Sequence, residues 1–220
     1  MTDYRDKIQN ILLNADTYHE AYYKAETFRG PSLYFHRRAL DTRQAQGSVT
    51  HLEYVYATLA SWGMHRMGQR GSKMQQFEAF RRSIEQQADR ITEAQTFDFR
   101  AMNDQKWALL RKIFQGIKIM ASGTSLVGHS KVMHHMMPNI VPPIDREYTL
   151  RYLRGKTTIT NNLDQEWLIL REIVSDFFIP VACDPGLNLK ASKWITSPEE
   201  YPWDTSILKV VDNLVIGALK

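Results

Sequence analysis

The stretch GTSLVGHSKVMHHMMPNIVPPIDREY, Gly123 to Tyr148, decides how this chain is read. Gly123 and Gly128 permit tight backbone turns. They predict a corner that joins a helix ending near Ser122 to one starting near His129, with "GTSLVGHSK" as the connection. Pro138, Pro142 and Pro143 then force the chain out of helix and fix a second, rigid corner. Asp145 opens a further helical pattern, "REYTLRYL", and Asp is a preferred N-cap. Helices joined by corners are the unit of an all-α fold.

The same periodicity runs outward in both directions. Toward the N-terminus, "NDQKWALLRKIFQGIKIMAS" predicts a helix capped by Asn103, with Trp107, Leu110, Phe114 and Ile117 on its core face. A long helix is expected from about Ser72 to Glu93, striped by Met74, Phe77, Phe80, Ile84, Ala88 and Ile91. In "THLEYVYATLASWGMHRMG", Thr50 and Glu53 make a capping-box pattern, and Leu52, Val55, Leu59 and Trp62 share one face. This helix and the Asn103 helix are expected to meet through Leu59, Trp62, Trp107 and Phe114. Asp16 or Thr17 is the candidate cap for "DTYHEAYYKAETF", and Pro31 suits the first turn of "PSLYFHRRAL". Toward the C-terminus, "LDQEWLILREIVSDFFIPVAC" reads as a strong helix, with Cys183 as a buried small hydrophobe. "DPGLNLKASKWITSPEEYPW" reads as loop-rich, which leaves Trp194 and Trp203 as candidates for an exposed surface. Asp204 is the expected cap of the last helix. No strand alternation and no internal repeat is visible; "KTTITNN" is β-prone but short. The reading is a compact all-α, multi-helix fold with about seven to ten helices, as a single domain over 1–220 or as two helical lobes packed together.

Composition narrows the setting. The 220 residues suffice for a real core. Lys and Arg outnumber Asp and Glu by 28 to 24, a net charge of +4 compatible with a polyanionic partner without requiring one. The one cysteine excludes an intramolecular disulfide and a cysteine-based zinc or iron–sulfur centre. The seven histidines form neither HxxxH nor HExxH, so neither a metal nor another cofactor is expected. The charged N-terminus does not read as a signal peptide, and no apolar run reaches membrane-spanning length, so a cytoplasmic setting is expected. Walker A, GxGxxG and GxSxG patterns are absent from the sequence.

Chemistry concentrates in the opening stretch. Lys131 sits near the start of its helix, where a cation opposes the helix dipole. A lysine can serve as an amine nucleophile in Schiff-base chemistry; a lone lysine is far more often a solvated surface group. Asp145 is a cap, and it is also a carboxylate fixed by the Pro142–Pro143 lead-in. His134 and His135 point about 100° apart on a helix and do not make an i, i+4 chelating pair; one of them is expected to pack on the core beside Met133 and Met137. The runs "HRR", "HRMGQRGSK" and "FRR" could form a basic face, with Arg66, Arg70 and Lys73 as candidate DNA contacts. Solvated helix faces would give the same runs.

A glycine turn, a lysine soon after it and an aspartate opening a later helix resemble the helix-hairpin-helix DNA glycosylases. The resemblance covers roughly 103–155, with "SLVGHSK" in place of the usual leucine-proline-glycine-x-glycine hairpin and a shorter lysine-to-aspartate spacing. It implies that Val127 to Ser130 form the hairpin. Gly128, His129 and Ser130 would then grip DNA phosphate, Lys131 would attack the sugar carbon and Asp145 would assist. The partner would be duplex DNA, and the activity that of a glycosylase or lyase on a flipped nucleotide. The other reading of the same residues is a non-catalytic helical module that binds nucleic acid or a protein.

Overall fold

Leu126–Met136 is a single α-helix in which every residue but Val127 is buried. A helix sealed on all faces belongs at the centre of a fold. The computed structural model describes residues 3–26, 30–44, 48–65, 67–68 and 71–220, and places this helix among four others. In chain order the helices are α1 (Arg5–Leu13), α2 (Ala15–Ala25), α3 (Pro31–Asp41), α4 (Val49–Ser61), α5 (Phe77–Glu85), α6 (Ala88–Gln95), α7 (Asp104–Gly116), α8 (Leu126–Met136), α9 (Arg151–Arg154), α10 (Leu163–Ile173), α11 (Ile179–Ala182), α12 (Pro185–Ile195) and α13 (Ile207–Gly217). A π-helical turn, Arg146–Leu150, leads into α9, and another, Val174–Phe178, joins α10 to α11. Two-residue strands, Met67–Gly68 and Gly71–Ser72, pair antiparallel between α4 and α5. The fold is all-α.

Helix α8 packs against α3, α4, α7 and α10. A second rod, α13, is buried from Leu208 to Val215 and packs on α2, α11, α12 and the π turn before α9. One apolar core runs through both, from Tyr4 to Val215.

Several expectations change in detail. The helix expected from Ser72 to Glu93 is α5 and α6, broken at Gln86 and Gln87. The break lets the Gln87 side chain lie against Gly116 at the end of α7, where an added Cβ would come within 2.2 Å of it. Helix α7 stops at Gly116 instead of near Gly123, because the chain beyond it runs extended against 73–75. Gln75 N–H donates to Ile119 O at 2.9 Å, and Ala121 N–H donates to Lys73 O at 2.8 Å. Helices α4 and α7 each pack on α8, so Trp62 and Trp107 belong to different environments: Trp107 is buried, while Trp62 is half-buried. Ser48, not Thr50, caps α4 by accepting from His51 N–H, and α2 starts off α1 with Asp16 and Thr17 already inside its first turn. Asn103 and Asp145 cap as expected. The segment read as loop-rich holds α12, started by Asp184 as cap and Pro185 at the first position, a combination that favours helix. Cys183 ends α11 and is exposed, whereas Trp194 and Trp203 are buried.

The histidines follow from the burial of α8. His135 Nδ1 lies 2.7 Å from Lys131 O and must donate to it. Its Nε2 is therefore an acceptor and takes a proton-bearing Nδ1 from His36 at 3.0 Å. His36 Nε2 in turn can accept from Thr205 Oγ at 3.4 Å. His134 Nδ1 donates to Val141 O at 3.0 Å. Burial keeps the His36, His134 and His135 rings neutral. Burial holds His36 and His134 well below the ordinary histidine value, and holds His51, His129 and His135 at about 4.

Two tests follow from the packing. An added Cβ at Gly217 would sit 1.9 Å from the Tyr18 backbone oxygen, because α13 and α2 approach that closely. Gly217→Ala is expected to cost about 1–3 kcal/mol, read as a lower urea midpoint, although helix propensity alone favours Ala by about 1 kcal/mol. A neutral or stabilised variant would refute the close approach. The second test is acid sensitivity. An unfolded histidine binds its proton near 6.5, while His51, His129 and His135 stay neutral in the fold down to about 4. Their contribution is complete above 6.5 and is lost as pH falls from there toward 4. Stability is expected to drop across that window by up to about 1.4 kcal/mol per pH unit for each proton so withheld. Equal urea midpoints at pH 7 and pH 5 would contradict it.

Candidate functional site

The Pro142–Pro143 corner delivers Asp145 to Lys131. Lys131 Nζ lies 3.2 Å from Asp145 Oδ2, with the lysine side chain 9% exposed and the aspartate 32%. Lys131 is in the second turn of α8, because the helix begins at Leu126 and not near His129. Asp145 is fixed from several sides. Its Oδ1 accepts from Glu147 N–H at 2.9 Å, its own N–H donates to Thr149 Oγ at 3.1 Å, and Ile144 N–H donates to Ser130 Oγ at 3.1 Å. Lys131 Nζ also stands 5.2 Å from the centre of the Trp62 ring, a cation–π distance.

Both residues line a cleft of about 250 Å3 that opens to solvent. Its other wall comes from α13. There Lys209 Nζ donates to Asp212 Oδ2 at 2.9 Å and to Asn213 Oδ1, and stands 5.7 Å from the Tyr22 ring of α2. Lys209 and Asp212 are both 4% exposed. Burial pushes the Asp212 carboxyl up and the neighbouring Lys209 pulls it back; Asp145 adds to the rise and Lys131 opposes it. The two ion pairs are thus electrically coupled across one cavity. Trp203 and Tyr148 complete the aromatic lining. Behind α13, Asn213 Nδ2 donates to Asp204 Oδ1 at 2.7 Å, and Asp204 Oδ2 pairs with His19 Nε2 at 2.7 Å. This pairing is why Asp204 does not cap α13; Ser206 does, accepting from Lys209 N–H.

A buried ion pair is a poor stability device, since apolar side chains of similar volume usually serve as well or better. One fully buried pair, Lys209–Asp212, beside a pair whose aspartate is open to solvent, in one aromatic-lined cleft, marks a candidate site for chemistry or binding. Chemically it offers two amines (Lys131, Lys209), three carboxylates (Glu26, Asp145, Asp212) and stacking surfaces. Among the described residues no three His, Cys, Asp or Glu side chains converge as metal ligands.

The remaining sequence candidates fall elsewhere. Gly128, His129 and Ser130 are buried within α8 and do not form a surface hairpin. An added Cβ at Gly128 would meet the Met120 side chain at 2.9 Å, so this glycine serves packing against the extended 117–121 segment, not a turn. His129 packs edge-on to Phe114, and Ser130 supports the Asp145 lead-in. Two of the amides at the start of α8, which could have held a phosphate, are already occupied. Ser125 and Leu126 N–H both donate to Glu166 Oε2 at 2.5 Å, from a glutamate that is wholly buried. Lys73 is exposed beside the extended segment; Arg66 and Arg70 lie outside the described residues. His36 is buried, and Arg81 is engaged by Glu78 and Glu85, so these two do not offer free positive charge to a basic face.

Lys209, Asp212 and Trp62 line the candidate site and were missed by the sequence reading, which put Trp62 in the core; Trp203, read as a surface candidate, is buried and lines the cleft. The signal was available for α13: in "ILKVVDNLVIG" a lysine, an aspartate and an asparagine stand at i, i+3 and i+4 on a helix otherwise apolar all round. Among the described residues no helix is long and apolar enough to cross a membrane. No protein-family model, no curated protein and no solved structure matches this chain.

Proposed function

We propose that the cleft is the active site of a DNA-repair-like glycosylase or lyase, with Lys131 as nucleophile and Asp145 as its charge partner. The observation that carries this reading is the 3.2 Å approach of Lys131 Nζ to Asp145 Oδ2 at an aromatic-lined cleft. A nucleotide turned out of the duplex would place its base against the indole surfaces, as base-flipping enzymes do. Lys131 gives up a proton to Asp145 or to water, and the free amine attacks the sugar carbon C1′. The Nζ–C1′ bond forms as the bond from C1′ to the base breaks; the base leaves with the bonding electrons and is protonated. The ring oxygen then leaves C1′ and is protonated in turn, which leaves a Schiff base on Lys131. Asp145 offsets the positive charge that builds on the sugar and then on the imine.

Duplex DNA, in this reading, is held by residues around the mouth of the cleft and not by the start of α8, whose amides Glu166 occupies. The cleft sets three carboxylates, Glu26, Asp145 and Asp212, against two lysines, which suits an uncharged base and sugar better than a phosphate.

The test is borohydride trapping on duplexes that carry an abasic site or damaged bases. A covalent protein–DNA adduct is expected from the wild type and none from Lys131→Ala with its helical circular dichroism intact. Asp145→Asn keeps the cap, because Asn caps about as well as Asp, yet should slow adduct formation roughly a hundredfold through loss of the charge. Absence of an adduct with every lesion, or an adduct that survives Lys131→Ala, would overturn the assignment. A purely structural pair would instead reveal itself by lower stability in Lys131→Ala and no chemistry in any form.

A further inference from the structure

A second cleft, of about 560 Å3, is lined by residues of α2, of α12 and of the segment that follows α12, and it shares no lining residue with the first. His19 lines it although only 4% of the residue is exposed. Its Nε2 lies 2.7 Å from Oδ2 of the buried Asp204, whose other oxygen accepts from Asn213 at 2.7 Å. The imidazole lies flat on Trp194, with ring centres 3.8 Å apart, and meets Tyr23 and Tyr201 at 4.9 and 4.7 Å. Nε2 is thereby committed to the carboxylate. Nδ1 bonds no described residue and is not among the atoms sealed from solvent, so it is the polar atom that His19 presents to this cleft. In the neutral ring the hydrogen sits on Nε2, where Asp204 accepts it, and Nδ1 is a bare acceptor.

The rim adds negative charge to this acceptor. Glu20 and Glu200 are exposed, and neither pairs with a cation among the described residues; the Tyr201 hydroxyl orients Glu200 by donating to its Oε1 at 2.6 Å. Asp16 is already taken by Lys190 at 2.5 Å, and Lys24 is the one cation among the described lining residues. We propose that this cleft binds an organic cation that carries N–H donors, an alkylammonium or an alkylguanidinium. One N–H goes to His19 Nδ1, Glu20 and Glu200 balance the charge, and the rings of Tyr23 and Tyr201 face the cation and its stem. An anion would meet two carboxylates and a bare acceptor. A quaternary ammonium would gain the attraction of the rings but has no hydrogen for Nδ1. Asp204 is a positioning residue here, because it fixes which nitrogen His19 presents. The His19–Asp204 bond also ties α2 to the lead-in of α13, and that role needs no ligand. It leaves unexplained why the remaining nitrogen opens onto an acidic, aromatic cleft. The proposal is independent of the lysine chemistry at the first cleft.

The experiment is a nuclear magnetic resonance titration of the full chain, labelled with 15N at histidine, with butylamine, butylguanidine and tetramethylammonium at constant ionic strength. The His19 Nδ1 resonance is expected to shift saturably with butylamine or butylguanidine. Tetramethylammonium should bind about tenfold more weakly or not at all, as loss of a hydrogen bond involving a charged group predicts. His19→Phe keeps the stack on Trp194 and removes the acceptor, so it should abolish binding, read by calorimetry. Glu20→Gln with Glu200→Gln changes only exposed carboxylates; it should weaken binding about fivefold, and it carries the test even if His19→Phe does not fold. Blocked lysine and arginine amides form a further arm. If they bind as tightly as the bare amines, the ligand is a basic side chain; if about tenfold more weakly, it is a free amine. No saturable shift with either N–H cation would overturn the proposal and leave His19–Asp204 as a structural tie alone. Equal binding of tetramethylammonium, indifference to the double glutamine variant, or an Nδ1 that already carries a proton in the free protein would overturn it as well.

Discussion

A helix closed off from water must find a protein partner for every polar side chain it carries, and this constraint on α8 organises the molecule. Ser130 is met by Ile144, Lys131 by Asp145 and His134 by Val141. All three partners lie in the segment that follows the helix. The chain therefore folds back along α8 as a rigid corner, and the corner is buried in turn. Pro138, Pro142 and Pro143 suit it for that reason: a buried segment must satisfy each backbone N–H, and these residues have none. The prolines end the helix and also lessen the hydrogen-bonding demand of a connection that has to lie inside the protein.

The same constraint acts on α13 and produces the other half of the cleft. Lys209, Asp212 and Asn213 share one face of an apolar rod and satisfy one another, and Asn213 continues the network to Asp204 and His19. The pairing is incomplete at Asp212 Oδ1 and, across the cavity lining, at Trp203 Nε1. His129 Nδ1, His134 Nε2 and Glu166 Oε1 are unpaired as well among the described residues, so it is the two lysines delivered by α8 and α13 to one cavity that separate the cleft from an ordinary polar seam. The neutral chain Thr205, His36, His135 and the Lys131 carbonyl ties the lead-in of α13 to α8, so the two lysines are held by a continuous set of contacts.

What the sequence disclosed depended on how local the physics was. The all-α class followed from periodicity, and the capping roles of Asn103 and Asp145 follow from side chains that bond amides two or three residues away. The Lys131–Asp145 approach was suggested by a proline-fixed carboxylate close in sequence. Long-range pairings were not legible. Glu166 reaches the start of α8 from forty-one residues away, and Asp204 looked like a cap until His19, 185 residues earlier in the chain, claimed it. Gly128 read as a turn because a glycine required by a neighbouring methionine looks the same in sequence as one required by the backbone. Helix α12 was missed because Asp-Pro-Gly is as good a turn signal as it is a helix start.

The π turn after Asp145 explains how one carboxylate serves both the fold and the cleft. In an ordinary α-helix the first turn closes through an i to i+4 bond. Here Leu150 N–H reaches back five residues to Asp145 O at 2.9 Å, and the Thr149 hydroxyl accepts from the Asp145 N–H. Asp145 makes a single capping bond, Glu147 N–H to Oδ1, and its Oδ2 faces Lys131. Wide turns of this kind recur at functional sites. That the chain keeps the wide turn, next to a lysine sealed in the core helix, is consistent with a position shaped by the cleft as well as by stability.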